Sequence, residues 1–214
     1  LVRLRPCAPP ERVDRVAATA RDTTALKDLV EAHGDAMAAI TLDVTNRAAA
    51  FAAVGEANER FGGLDVVVNN AGYGLFGAVE EVSEEQARAQ MDTNFFGALH
   101  VTQAALPIMR AQGSGHLVQV SSIGGVCAFP TLGLYHASKW ALEGMSESLA
   151  QEVGPLGIKV TLVESGSSAT DWGTASSVDA DRMPEYAAFH ERLGAGRAYG
   201  SDPSGVARTI LEIA

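Results

Sequence analysis

No apolar run in this sequence approaches the roughly 20 residues that a membrane-spanning helix needs. The opening Leu-Val-Arg-Leu-Arg passes straight into Pro-rich sequence, which reads as no secretory leader. Cysteine is scarce. Cys7 and Cys127 stand in unrelated contexts without C-x-x-C spacing, so no disulfide framework is expected and a reducing, cytoplasmic location is the simplest reading. Basic residues are outnumbered, 16 against 26 acidic ones, for a net charge of −10. That balance argues against nucleic acid or an anionic membrane surface as partner. His33, His100, His116, His136 and His190 fall in no HxxxH or HExxH pattern, so no metal site is expected. Glycine is missing from the start of the chain, Gly34 being the first.

What is present has the pattern of an α/β protein. Short apolar runs alternate with longer amphipathic stretches, as in βα units around a doubly wound parallel sheet. With 214 residues and no repeat or linker, residues 1–214 read as a single domain. Strands are predicted at 13–19, 37–42, 64–68, 116–120 and 158–163. Helices are predicted at 23–33, from an Asn46 cap to Phe61, and from a Ser83/Gln86 capping box to about Arg110. That last helix should be interrupted at Gly97 and bent or ended near Pro107. Further helices are expected at 135–153 and 204–213. Residues 165–201 change composition and read as a substrate loop, whose Trp172, Met183, Tyr186 and Phe189 suggest an apolar small-molecule substrate.

Four residues carry chemistry together: Asn94, Ser122, Tyr135 and Lys139. Tyr135 and Lys139 lie one helical turn apart and share a face. An ammonium beside a phenol favours the phenolate and should lower its pKa from about 10. Such a phenol can exchange a proton with a carbonyl or alcohol oxygen. Ser122 follows a strand at its C-terminal end, where open α/β sheets bind ligands. Its hydroxyl can steady charge on the same oxygen. Taken singly, each feature has an ordinary structural explanation.

In order and spacing these residues resemble the short-chain dehydrogenase/reductase family. Asn69-Asn70-Ala71-Gly72 matches the family's NNAG motif, and Tyr135-His136-Ala137-Ser138-Lys139 matches its YxASK signature. Ser122 keeps the usual thirteen-residue separation from Tyr135, and Asn94 matches the helix asparagine of the proton relay. The resemblance implies a Rossmann-like fold, with Tyr135 as general acid/base. Lys139 would tune it and hold the nicotinamide ribose, Ser122 would polarise the substrate oxygen, and Asn94 would maintain a water relay. The reaction implied is hydride transfer between nicotinamide and a carbonyl or secondary alcohol. Asp43 and Val44 would contact adenine, Asn69, Ala71 and Gly72 would support the cofactor site, and Gly166 and Thr170 would lie near the nicotinamide. NADP(H) is expected over NAD(H). Ala20 stands where NAD-preferring relatives carry an acid, and Arg21 suits a 2′-phosphate. A homodimer through the two long helices is also implied.

The sequence departs from the family at its start, before Gly166, and at its end, where relatives usually continue past the last helix into one more strand. The Gly-rich turn that binds pyrophosphate is lacking, and Arg3 and Arg5 make residues 1–10 an unsuitable replacement for a central strand. A gap in the core where that strand would lie, between the strands ending at Thr19 and Val68, is therefore expected. Gly72-Tyr73-Gly74-Leu75-Phe76-Gly77 fits G-x-G-x-x-G but has no helix directly after it, so it is rejected as a substitute. Ser165 replaces the family's proline before Gly166. These departures leave an alternative reading, a catalytically silent relative serving as a binding or oligomerisation module.

Overall fold

The structure, a computed structural model, describes residues 2–4, 14–166, 177–193 and 203–213. Its main sheet has six strands in the order β3-β2-β1-β4-β6-β7. These are β1 (Val2–Leu4), β2 (Arg15–Ala20), β3 (Met37–Thr41), β4 (Val66–Asn69), β6 (Gly115–Val120) and β7 (Ile158–Val163). β2 pairs with β3, and β4 with β6, in parallel. The continuous valine run of β4 is buried throughout, as a parallel strand covered on both faces requires. The α/β, Rossmann-like class is thus as read.

The expected gap is not there. β1 lies between β2 and β4 and runs antiparallel to both, with Arg3 opposite Val16 on one side and Val66 on the other. The physical reason is that the facing edges of β2 and β4 present backbone N–H and C=O groups that need partners. A short extended backbone of any composition supplies them, so the arginine content of residues 1–10 was the wrong criterion. The polarity also departs from the all-parallel expectation.

The chain packs as two compact units. The first comprises Leu1–Ala71, Phe96–Gln119 and Ser146–Thr161, and the second Gly72–Phe95, Val120–Met145 and Leu162–Ala214. In the first, α2 (Arg47–Phe61) starts where the Asn46 side chain accepts the Ala49 N–H at 3.0 Å and stops at Gly62, whose φ is +80°. Its small face, Ala50, Ala53, Val54 and Ala57, packs into the core with Leu64, Val67, Leu117 and Met109. Gly115 is required at the start of β6, since a Cβ there would come within 2.5 Å of Met109. The 23–33 helix is divided into a 3-10 turn, Thr24–Leu26, and α1 (Lys27–His33).

The long helix after Ser83 also differs from expectation. The capping box forms, with both Ser83 and Gln86 bonds present. α3 (Glu84–Met91) then passes through a π-helical turn at Asp92–Phe96 into α4 (Gly97–Gln112). The interruption lies at Asn94, ahead of Gly97, and Pro107 sits inside α4 without ending it. A proline removes a single backbone donor, which the flanking turns of a well-packed helix tolerate. Gly113, with φ +70°, is the actual stop.

In the second unit, β5 (Leu75–Phe76) pairs in parallel with β8 (Val178–Asp179). No helix opens at Gly77, which agrees with the rejection of the G-x-G-x-x-G match. α5 (Gly133–Val153) carries the YxASK residues. The 165–201 excursion includes a 3-10 turn at Pro184–Tyr186 and α6 (Ala187–Leu193), while α7 (Pro203–Ile213) closes the described chain. Trp172 lies outside the described residues.

Candidate active site

In the second unit, the first turns of α5 place Tyr135 and Lys139 together, with the Lys139 Nζ 6.0 Å from the phenol ring centroid. Both are buried. Lys139 donates to the carbonyl oxygen of Val120, the last residue of β6, at 2.8 Å. Burial pushes its pKa down to about 8, while the Glu143 carboxylate one turn further along pulls it up. Ser122 follows β6; its Oγ accepts the Gly124 N–H at 3.1 Å and is hydrogen-bonded to the Tyr135 phenol.

The expected lowering of the phenol's pKa is not found. Burial raises it above its ordinary value, and the Ser122 hydrogen bond opposes that only in part. Desolvation is the largest influence on the phenol. Tyr135 is therefore a neutral donor in this state.

Asn94 is buried inside the π-helical turn. Its Oδ1 accepts the Tyr73 N–H at 3.1 Å, and its Nδ2 donates to the Tyr73 carbonyl at 3.1 Å and to Ser138 Oγ at 3.0 Å. Ser138 Oγ donates in turn to the Tyr135 carbonyl at 2.7 Å. Gly72 sits against this set. A Cβ there would lie 3.1 Å from Asn94 Oδ1 and 3.7 Å from Lys139 Nζ. Gly166 is exposed, next to Ser165, whose carbonyl accepts the Ile123 N–H at 2.9 Å. Thr170 lies outside the described residues.

His136 is a site neighbour that the sequence reading passed over. Its Nε2 accepts the Phe129 N–H at 2.9 Å, so Nδ1 carries the proton and donates to the Gly124 carbonyl at 3.0 Å. Burial holds its pKa down. A neutral ring thus pins both ends of the loop after Ser122. The variable position of YxASK gave no signal for this.

The cofactor-side residues of the first unit surround a cavity of about 240 Å³ at the C-terminal ends of the strands. Thr19, Leu42, Val44, Asn70, Ala71 and Val101 are among its walls. Asn69 Nδ2 donates to Thr102 Oγ1 at 3.1 Å and to Gln119 Oε1 at 3.0 Å, a buried network that fixes the end of β4. Asp43 accepts both the backbone N–H and the hydroxyl of Thr45, which hold its carboxyl below the usual range. His100 Nδ1 bonds the Val44 carbonyl at 3.1 Å. Arg21 is exposed just beyond β2. Its neighbour Asp22 is engaged by the Thr24 N–H and hydroxyl, and among the described residues Arg21 has no ion pair with it.

Within the first unit these walls offer apolar side chains to a flat base, and the exposed Arg21 guanidinium lies within electrostatic reach of Asp43. Within the second unit the buried ammonium and phenol suit a ribose hydroxyl and a reacting oxygen. A Gly-rich pyrophosphate turn is not among the residues of this sequence before Gly34.

A Rossmann-like sheet with a cavity at its strand ends is the architecture of dinucleotide-binding proteins. The family model described as short chain dehydrogenase matches residues 12–181. Over 208 residues the chain is 41% identical to Oxidoreductase BOA17 of Botryotinia fuckeliana, covering 94% of this chain and 75% of that protein. A short-chain dehydrogenase structure from Streptomyces avermitilis superimposes with a TM-score of 0.83 at 40% identity, covering 92% and 73% of the two chains. One from Burkholderia phymatum in complex with NAD gives 0.80 at 25% identity, covering 92% and 75%. The chain belongs to the short-chain dehydrogenase family, and is an oxidoreductase of that type with an NAD(P)-binding fold. Among the described residues no helix is long and apolar enough to cross a membrane.

Proposed function

We propose that this chain is an NADP(H)-preferring carbonyl reductase or alcohol dehydrogenase acting on an apolar small molecule. The observation that carries this reading is the buried Tyr135, hydrogen-bonded to Ser122 with Lys139 one turn away on the same helix face. The bound nicotinamide would supply or accept the hydride. In the reductive direction the neutral Tyr135 phenol gives its proton to the carbonyl oxygen, and Ser122 donates a hydrogen bond to the same oxygen. The Lys139 ammonium steadies the phenolate left behind and holds the nicotinamide ribose. Asn94 braces Tyr73 and Ser138, so any relay water would be its second task.

On the nucleotide side, Arg21 takes the 2′-phosphate, while Asp43 and Val44 meet the adenine. Asn69, Ala71 and Gly72 form the adjoining floor, with Gly166 beside the nicotinamide carboxamide. The exposed apolar side chains Val79, Ile123, Val126 and Phe129, all in the second unit, support an apolar substrate. Trp140, exposed on α5, supports pairing of two copies through that helix.

A second reading is a catalytically silent relative serving as a binding or oligomerisation module, which should bind neither cofactor. Titration with NADPH and with NADH, followed by cofactor fluorescence, separates the two. Preferential NADPH binding, with turnover lost in Tyr135→Phe, is the expected result. A folded chain that binds neither cofactor leaves the silent reading standing.

A further inference from the structure

The second unit holds a buried carboxylate that takes no part in the proton chemistry. The Glu81 side chain is fully buried. Its Oε2 accepts the Ala78 N–H at 2.6 Å, its Oε1 accepts the Met183 N–H at 2.9 Å, and both oxygens contact His190 Nε2 at 2.8 and 2.9 Å. The backbone bonds and the His190 partner hold its carboxyl low against the opposing effect of burial. Two backbone donors and a ring from chain segments about a hundred residues apart converge on one group.

We infer that Glu81, resting on the oxidoreductase reading above, is a positioning residue that fixes the 177–193 segment as a wall of the substrate site. Three observations carry this. First, most described side chains of the segment are exposed or half-exposed, Ala180 being buried, so apolar packing does little to hold it. The short β5–β8 pairing and the Tyr186 hydroxyl, which donates to Glu80 at 2.8 Å, also tie it. Second, the anchored ladder leads toward the reacting residues. β5 follows Tyr73, whose backbone Asn94 grips, and the Gly77 N–H donates to the Thr131 carbonyl in the stretch that leads into α5 and Tyr135. Third, burying a carboxylate costs more than an apolar contact of the same size. What it gives in exchange is direction, because four contacts to one rigid group fix where Met183 and α6 lie.

The wall touches substrate and not the transferred proton. Loosening it should therefore weaken capture without slowing chemistry. The test compares the unmutated chain with Glu81→Gln, His190→Ala and His190→Gln, using octanophenone and NADPH. In Glu81→Gln the new amide N–H faces another donor, and in His190→Ala one charged contact is lost. Both should raise KM for octanophenone about tenfold, the equivalent of one such contact. Their kcat and NADPH affinity should stay within about twofold. His190→Gln keeps an N–H donor and should restore KM. In parallel, amide hydrogen exchange across 177–193 should quicken in the two disruptive variants alone. If Glu81→Gln does not fold, the His190 pair decides the matter. Unchanged KM in His190→Ala, or unchanged exchange, overturns the inference. Failure of the unmutated chain to bind NADPH overturns the oxidoreductase reading and this inference with it, an outcome distinct from losing the KM effect alone.

Discussion

Lys139 donates its ammonium to the carbonyl oxygen of Val120 at 2.8 Å, so the end of β6 holds the cation of the site on the helix face it shares with the Tyr135 phenol. Burial brings its pKa to about 8 from an ordinary 10.5. The folded state thus releases this proton first. Between about pH 8 and 10.5 the unfolded chain binds more protons, so the contribution of Lys139 to stability rises with pH across that window. Below pH 8 the burial penalty, on the order of 3 kcal/mol, is fully present. Tyr135 has the opposite sign. Its pKa is raised by burial, so the stability it contributes is complete below about pH 10 and is lost as the folded phenol ionises. An NMR titration of the Lys139 side chain should give a midpoint near 8, with NADPH affinity falling above it. A midpoint above 10 would falsify the burial argument.

Tyr135→Phe removes the phenol hydroxyl while keeping the ring's packing. Turnover should fall by roughly 10²- to 10⁴-fold, with NADPH affinity nearly unchanged. Ser122→Ala should cost somewhat less in kcat, about 10²-fold. It should also cost about 1 kcal/mol of stability, because Ser122 Oγ accepts the Gly124 N–H. Steady-state kinetics and thermal melts on the same samples check both. Equal activity in Tyr135→Phe would remove Tyr135 from the chemistry.

Arg21 is exposed beyond β2, and its neighbouring carboxylate is already engaged by Thr24. Arg21→Glu should weaken NADPH binding by about 100-fold, since a charge-assisted contact is replaced by repulsion. NADH affinity should change little. The NADPH affinity of the unmutated chain should also fall with salt more steeply than that of the variant. Fluorescence titrations at two ionic strengths measure both effects. Equal losses for the two cofactors would place Arg21 away from the 2′-phosphate.

Much of this was legible in the sequence because it rests on local physics. The Asn46 cap, the Ser83/Gln86 box and the valine run of β4 depend on neighbours within a turn or on a repeating pattern. The gathering of Gly72, Asn94, Ser122, Tyr135 and Lys139 was legible for another reason, since their order matches a family whose fold brings them together. What escaped depended on long-range geometry. β1 enters the sheet through backbone pairing, to which side-chain character is nearly irrelevant. The phenol's raised pKa depends on burial. Glu81 and His190 are 109 residues apart, with no periodicity or motif to link them.

Gly72 offers the sharpest test of how tightly the reacting set is packed. A Cβ at this position would stand 3.1 Å from Asn94 Oδ1, and that oxygen cannot easily retreat because it accepts the Tyr73 N–H. The Lys139 Nζ, 3.7 Å away, is in ordinary contact and need not move. The strain therefore falls on the Asn94 clamp, and Gly72→Ala should cost about 1–3 kcal/mol, as overpacking does elsewhere. Gly144 on α5 is the matched control. Nothing lies within 4 Å of its added Cβ, so Gly144→Ala should stabilise by up to about 1 kcal/mol through helix propensity. Opposite shifts in melting temperature for the two variants, with turnover reduced in Gly72→Ala alone, are the expected outcome. A Gly72→Ala protein as stable and as active as the parent would mean that the Asn94 clamp yields at little cost, and that Asn94 does not hold Ser138 and Tyr135 in place.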